Sequence, residues 1–439
     1  IFKCHFIVKT GDAVTGSDKF VTQQTTPFPH AGCLYIGPRY MDSMIHLVKG
    51  SIGAGILAMP DAMRRMGVLF GSIALLSLAT LIAAQYRLCK RYRRGYMSYQ
   101  KSVRLSLQDG PPCFRWAANF LSMFTDFVLV VWQLGICIVY FVFVAANLKQ
   151  IFDFYGHVIS LRIHLCYLLP PMIVINLVKN LKLMTPISTI SNAITLFALV
   201  IVFFYLIEND IIISEDRLKL KSYSEIPLFI GTALFALEAV GVILAIEYHM
   251  EYPKQFVGIC GLLNFGMFII VMMYILVGVS GYIKYGDQTK DAITLNLPEE
   301  QKKAQVAKIA FCIAIFLSFP LQNYVAYEIC WRKLKKKLTP PVKPADYVLR
   351  VALVVFPWVV AFGVPQLGPF ISFFGAFCLS LLAIVFPGIM DACCCYADHG
   401  GYGPGYYKLI RDIIIVVIGL SCLFAGCYAS LLEIYSNYQ

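Results

Sequence analysis

The chain has 439 residues, 59% hydrophobic and 14% charged, with a formal net charge of +12 and a mean hydropathy of +0.71. Soluble globular chains average roughly 45–50% apolar and about 25% charged residues, so this composition excludes a soluble domain and describes a polytopic membrane protein. Nucleic acid is excluded as a partner as well, because the basic residues crowd two connections instead of lining a groove: Arg87, Lys90, Arg91, Arg93, Arg94, Lys101 and Arg104 in one, Arg332, Lys333, Lys335, Lys336 and Lys337 in the other.

In chain order, residues 1–42 come first. They carry no sustained apolar core followed by a small-residue cleavage site, and their Thr, Gln, Pro and Gly read as a disordered tail rather than a signal peptide. A membrane span needs about 20 apolar residues, and roughly eleven runs over the remainder, 43–439, qualify. They are Met44–Met66, Val68–Leu88, Phe114–Phe152, Ile163–Val178, Leu183–Ile207, Ile226–Tyr248, Phe256–Ile283, Ala304–Trp331, Tyr347–Gly363, Leu367–Met390 and Leu409–Tyr435. The expected architecture is an all-α integral membrane protein. If spans one to five and six to ten are two halves, the first covers about 43–208, the second about 226–390, and an additional span covers about 409–435.

Lys and Arg accumulate in cytoplasmic loops and can touch anionic lipid. A cytosolic N-terminus puts both basic clusters inside, and the acidic connections holding Glu208, Asp210, Glu215 and Asp216, and Asp287, Asp291, Glu299 and Glu300, outside. Arg64 and Arg65, in the first connection, run against this pattern. Of fifteen cysteines, most sit in apolar runs (Cys137, Cys260, Cys312, Cys378, Cys422) as small buried hydrophobes, with no loop-borne disulfide framework. Cys393, Cys394 and Cys395 fall just past a span, where palmitoylation and unmodified thiols are the alternatives. No Asn-x-Ser/Thr sequon occurs, so glycosylation says nothing about location.

The first run opens with "KGSIGAGILAMP", in which Gly50, Gly53, Gly55 and Pro60 disturb a helix where it should be most regular. The sixth contains "FIGTALFALEAVGVILAIEYHM", with Gly231 and Gly241 on either side of an intramembrane Glu238. Interrupted helices in matching positions of two halves point to a transporter site at the membrane midplane. An unwound stretch is tolerated there only when packed in protein or lining a wet cavity, and its free amides and carbonyls then become ligands. Helix N-termini suit a carboxylate and C-terminal carbonyls suit an ammonium or cation; an α-amino acid carries one of each. Close helix packing is the alternative reading of the glycines.

The candidate substrate residues are Ser51, Ile52, Gly53, Ala54 and Gly55 in the first span and Phe235, Ala236, Glu238 and Ala239 in the sixth. Tyr140 in the third span offers a hydroxyl to a substrate carboxylate or is an interfacial aromatic, and Ser318 and Gln322 in the eighth are secondary candidates. Glu238 is a functional-site candidate because an intramembrane carboxylate is costly, about 2.5–3.5 kcal/mol on insertion scales. Its roles are proton binding or, as a neutral carboxyl, hydrogen bonding to unwound backbone. His46 is the second proton candidate, since imidazole ordinarily titrates in the physiological range, with a structural histidine as the alternative. No metal spacing and no nucleophile, base and oxyanion set appears, so neither a cofactor nor enzyme chemistry is expected.

"HLVKGSIGAGILAMPDA", together with "VYFVFVAANLKQI", "LFIGTALFALEAVGV", "GYIKYGDQTKDAITLNLP", "FPLQNYVAYEI" and "PQLGPFISFFGAFCLSLLAIVFP", resembles the proton-coupled amino acid transporter family, a branch of the amino acid/auxin permeases. The resemblance runs over nearly the whole chain beyond the tail. It implies an eleven-span protein with a 5+5 inverted repeat, the LeuT-like (APC) fold with discontinuous first and sixth helices. It also implies symport of small neutral amino acids with protons in the plasma membrane or a lysosomal or endosomal membrane. The chain departs from the family pattern at Ser51 (usually Asn), Ala54 (Thr), Ala239 (Gly) and Ala326 (Pro). "AIEYHM" keeps only Glu247 and Met250 of its motif, and Glu299 and Glu300 follow "LNLP" where a loop cysteine is usual, so that family disulfide is not expected. These departures leave open an amino-acid sensor with slow flux that signals through cytosolic partners. A sodium-coupled transporter is the other alternative, while a channel is disfavoured because no continuous polar face lines several spans.

Overall fold

The structure, a computed structural model, describes residues 40, 44, 47–48, 53–89, 98–178, 181–208, 217–219, 221–237, 256, 261–336, 343–397 and 401–437. Among these residues there are helices and short 3-10 turns but no strand. The helices in chain order are α1 (Ala54–Met66), α2 (Val68–Cys89), α3 (Tyr99–Asp109), α4 (Ala118–Phe154), α5 (Leu161–Asn176), α6 (Leu181–Ile207), α7 (Ile226–Ala236), α8 (Leu262–Tyr285), α9 (Lys302–Leu334), α10 (Lys343–Gly363), α11 (Leu367–Ala397) and α12 (Tyr407–Ser436). Eight of them, α2, α4, α6 and α8 to α12, are long and apolar enough to cross a membrane, and α5 and α7 are shorter apolar helices.

Two helices in the apolar runs are only half-length. α1 has 13 residues and α7 has 11, which at 1.5 Å per residue is roughly 17–20 Å against about 30 Å of hydrocarbon. α1 starts after an extended Gly53 and α7 stops at Ala236, while Glu238 and Gly241, around which the disturbance of the sixth span is expected, lie outside the described residues. α1 ends at Gly67, whose φ of +83° is a left-handed value. A side chain there would also collide with the Lys219 carbonyl, 2.2 Å from an ideal Cβ. Only glycine turns the chain from α1 into α2 at this point.

The long helices α4 and α9 run antiparallel along each other. Asp126 near the start of α4 pairs with Lys333 near the end of α9 at 2.9 Å. Lys308 near the start of α9 donates to Gln150 near the end of α4, also at 2.9 Å. Between them Phe141 and Phe319 meet edge to face at 5.3 Å. The basic cluster at Arg332 and Lys333 therefore marks one face of the bundle and Lys308 the other. α3 lies on the first of these faces, with Val103 and Leu107 packed against Ala118, Met390 and Cys393, and the Tyr99 hydroxyl donates to the Leu382 carbonyl at 2.6 Å.

Cys393, Cys394 and Cys395 lie within α11 rather than just past a span, and they are buried in it, which favours unmodified thiols over palmitoylation. Their thiols sit inside the bundle because α11 runs on to Ala397. Outward faces carry large apolar side chains instead, such as Phe197, Val200 and Phe204 on α6, Phe356 and Val359 on α10, and Ile414, Val417 and Phe424 on α12. Such faces suit lipid rather than water.

α7 and α11 touch backbone to backbone. An ideal Cβ on Gly231 would lie 2.3 Å from the Ser372 carbonyl oxygen, and one on Gly375 would lie 1.9 Å from the Gly231 carbonyl oxygen. Thr232 and Ser372 join their hydroxyls at 2.8 Å across the same seam. From Gly375 to Val385 the helix α11 is π-wound, a wide geometry that recurs at functional sites. Gly375→Ala is expected to lower stability by about 1–3 kcal/mol, as overpacking does, while Gly363→Ala, which meets nothing within 4 Å, leaves it unchanged. Thermal unfolding of the detergent-solubilised protein followed by intrinsic fluorescence separates the two; equal midpoints contradict the close seam.

Candidate functional site

The site is built from two helix ends. α1 begins at Ala54, and Gly53 before it is extended (φ −140°, ψ −157°) with no side-chain cap. Residues 47 and 48 are helical, so the first span is interrupted by Gly53. α7 ends at Ala236, and Leu237 leaves the helix with φ −77° and ψ 25°. The two ends meet: an ideal Cβ on Gly55 would lie 2.6 Å from the Cα and 3.1 Å from the Cβ of Ala236. Glycine is required at 55 because the neighbour is backbone and cannot step aside.

Helix starts leave amides, and helix ends leave carbonyls, without intrahelical partners. The first turn of α1 thus brings partial positive charge against the partial negative charge at the end of α7. The Tyr274 hydroxyl on α8 donates to the Ala236 carbonyl at 2.7 Å, satisfying one acceptor and fixing where α7 stops. Trp132 on α4 sets its ring edge-on to Phe235 at 5.2 Å. Such a junction offers donors to an anion and acceptors to a cation a few ångströms apart, inside an apolar wall.

Among the residues expected from the sequence, Gly53, Ala54, Gly55, Phe235 and Ala236 come together at this junction. Tyr140 is buried in the apolar cluster that also holds Ala54, Phe235 and Ala236. Ser318 is bound to α6, where its hydroxyl pairs with that of Ser191 at 2.7 Å while Ser191 donates to the Ala314 carbonyl, so Ser318 is the donor in the pair. Gln322, one turn on, is half-buried. His46, Ser51, Ile52, Glu238 and Ala239 lie outside the described residues.

At the far end of α1 stands an ionic cluster. The buried guanidinium of Arg65 donates to Asp61 at 2.9 Å, to Glu225 just before α7 at 3.0 Å and to Glu433 near the end of α12 at 2.7 Å. Arg64 donates to the other oxygen of Asp61 at 2.6 Å. Beside this cluster, Asp291 accepts from the Gly368 amide at the start of α11 at 2.9 Å. Asp291 belongs to a connection outside the spans. Burial pushes its carboxyl above the usual carboxylate range, and the charge of Asp61 adds to the rise against the opposing pull of the Gly368 amide and Arg65.

The family model for transmembrane amino acid transporter proteins matches residues 39–432. The chain belongs to this transporter family. It is 34% identical to the proton-coupled amino acid transporter-like protein pathetic of Drosophila melanogaster over 91% of this chain and 86% of that one. To the amino acid transporter AVT3C of Arabidopsis thaliana it is 26% identical over 88% of each. Among solved structures, a nucleobase-cation-symport-1 family transporter in a closed conformation with bromovinylhydantoin bound matches with a TM-score of 0.51 at 13% identity, over 89% of this chain and 90% of that one. At that identity the likeness speaks for the fold alone, which is the LeuT-like one. Family and relatives are transporters, not enzymes.

Three features of the transporter escape sequence reasoning. Asn323, in the quoted "FPLQNYVAYEI", is fully buried on α9, and neither its amide nitrogen nor its oxygen has a partner among the described residues; its place beside Gln322 in an apolar run was the available signal. Asp61 was signalled only by its i, i+4 spacing from Arg65, a common helix ion pair. At the opposite face Arg411 bonds Asp391 and Asp412 together. Asp391, Cys395 and Asp412 also lie close enough to hold a metal ion, yet the guanidinium already bridges the two carboxylates, which makes this an ion-pair triad.

Arg65→Leu is expected to lower stability by about 1–3 kcal/mol, because it removes the buried guanidinium shared by Asp61, Glu225 and Glu433 and leaves Asp61 with Arg64 as its remaining partner. Glu433→Gln, at a partly exposed partner, is expected to cost less than about 1 kcal/mol. Thermal midpoints of the two variants test this ordering, and equal losses contradict a hub at Arg65.

Proposed function

We propose that this chain is a secondary transporter that carries small neutral amino acids together with protons, by alternating access around the junction of α1 and α7. The observation that carries the reading is the contact of Gly55 with Ala236. The substrate carboxylate takes the first-turn amides of α1, and its ammonium takes carbonyls at the end of α7. Trp132, Phe235 and Tyr140 close an apolar wall on the side-chain end, which favours small substrates. The proton-coupled relative supports the proton as the driving ion.

A ligand shifts a conformational equilibrium only through different affinities for the two states. Proton binding at Glu238 and His46 supplies that difference on this reading. The proposed topology has the N-terminus in the cytosol, with the Arg332 and Lys333 cluster inside and the Arg65 cluster outside. The exception that Arg64 and Arg65 make to the positive-inside pattern is then removed by their neutralisation on Asp61, Glu225 and Glu433. Residence in the plasma membrane or a lysosomal or endosomal membrane completes the proposal.

The test is uptake of labelled glycine, alanine and proline into proteoliposomes under imposed gradients. Accumulation is expected with an inward proton gradient, lost when a protonophore collapses it, and indifferent to sodium. Uptake that needs sodium and ignores pH overturns the proton assignment, and tight binding with negligible flux favours a sensor. Gly55→Val, inserted and folded, is expected to reduce uptake more than about tenfold, because opening the junction misplaces the groups that orient the substrate; unchanged uptake contradicts the assigned site.

A further inference from the structure

Residues 289–297, between α8 and α9, form a strap that is wedged into the bundle. Ala292, Ile293, Thr294 and Leu297 are buried, and the turn Ile293–Asn296 packs on α1. Gln150 at the end of α4 donates to the Leu295 carbonyl at 3.1 Å and is itself held by Lys308. Asn296 ties the strap to itself, accepting from the Lys290 amide and donating to the Gln288 carbonyl, each at 2.8 Å. At the other end the carboxyl of Asp291 is the pin to α11, its oxygen accepting from the Gly368 amide. With the strap seated, the outer end of α1 is covered.

The charge around this pin is unbalanced. Facing it are Asp61 and Arg65 from α1 and Glu433 from α12, with Arg64 and Glu225 bonded to Asp61 and Arg65 behind them; Lys290 is its chain neighbour. Arg64 and Arg65 are already engaged by Asp61, Glu225 and Glu433. Asp291 is thus a fourth carboxylate against two guanidiniums, bonded to a backbone amide rather than to a cation. It is half-buried, so protons from the adjoining water can reach it.

We propose that Asp291 is a proton-binding group of the transport cycle, protonated while the 289–297 strap is seated over α1 and charged once the strap lifts into water. The inference rests on the reading of the chain as a proton-driven carrier and adds a site that Glu238 and His46 do not cover. Its sign follows from linkage. A carboxyl whose pKa is raised in the seated state favours that state at low pH, and the preference is lost as pH rises through the raised value. Acid on the outer side therefore closes the strap over a loaded site, as symport requires, and release of the proton accompanies reopening.

The experiment reads the strap directly and needs neither substrate nor flux, so its failure is distinct from failure of the transport reading. Thr294→Cys places a thiol on the strap at a fully buried position whose hydroxyl has no hydrogen-bond partner. The full-length protein in lipid nanodiscs is labelled with a membrane-impermeant maleimide from pH 5 to pH 8, and modification at 294 is followed by mass spectrometry. The rate for T294C divided by that for T294C/D291N cancels the reagent's own pH dependence. That ratio is expected to be near one in acid and to climb with pH, by up to about tenfold for each unit of pKa rise. A ratio that stays constant overturns the proposal. Should the D291N variant fail to assemble, the protection of T294C relative to the denatured chain is read instead. Protection must fall as pH rises, and pH-independent protection overturns the proposal equally.

Discussion

Backbone amides and carbonyls cannot be left bare in hydrocarbon, and within two of its apolar runs this chain starts a helix at Ala54 and stops one at Ala236. Everything near Gly55 and Ala236 follows from that constraint. Tyr274 satisfies the Ala236 carbonyl, Trp132 walls off Phe235, and α11 supports α7 so closely that Gly231 and Gly375 have no room for a side chain. An interruption that costs several kilocalories per unsatisfied group persists only because neighbouring helices are shaped around it. On the proposed reading, these same groups are what a zwitterion binds.

The junction connects to one face of the bundle through α1 itself. The helix starts at the break and ends one residue beyond Arg65, so any tilt of α1 must carry Arg65 with it. Arg65 in turn joins the turn before α7 and the last helix, α12. The strap at 289–297 covers the same helix end and reaches back to α4 and α11. The 13 residues of α1 thus join the Gly55–Ala236 contact at one end to the ion pairs of Arg65 at the other.

Much of this was legible in the sequence for local reasons. Gly53 and Gly55 in a row of apolar residues mark a break because glycine is poorly suited to a helix interior, and α7 was legible as the apolar stretch before Glu238. Spans were legible from hydropathy because lipid imposes the same demand on every one of them. What stayed hidden depends on partners distant in the chain. Arg65 read as a topological exception because Glu225 and Glu433 lie 160 and 368 positions away. The burial of Cys393 to Cys395 required knowing that α11 continues past Met390, and the π-wound stretch from Gly375 has no compositional mark. Ser318, singled out for its hydroxyl, serves to join α9 to α6 through a serine that hydropathy does not single out.

The central claim is the proposal that an amino acid sits beside the contact of the two helix ends, carboxylate toward α1 and ammonium toward α7. A cryo-electron microscopy structure of the protein in nanodiscs with saturating alanine tests it most directly. The account predicts ligand density within hydrogen-bond reach of the amides of residues 53–55 and of the carbonyls at the end of α7, with the first span interrupted there. A first span continuous through Gly53, or alanine bound away from this junction, would contradict it.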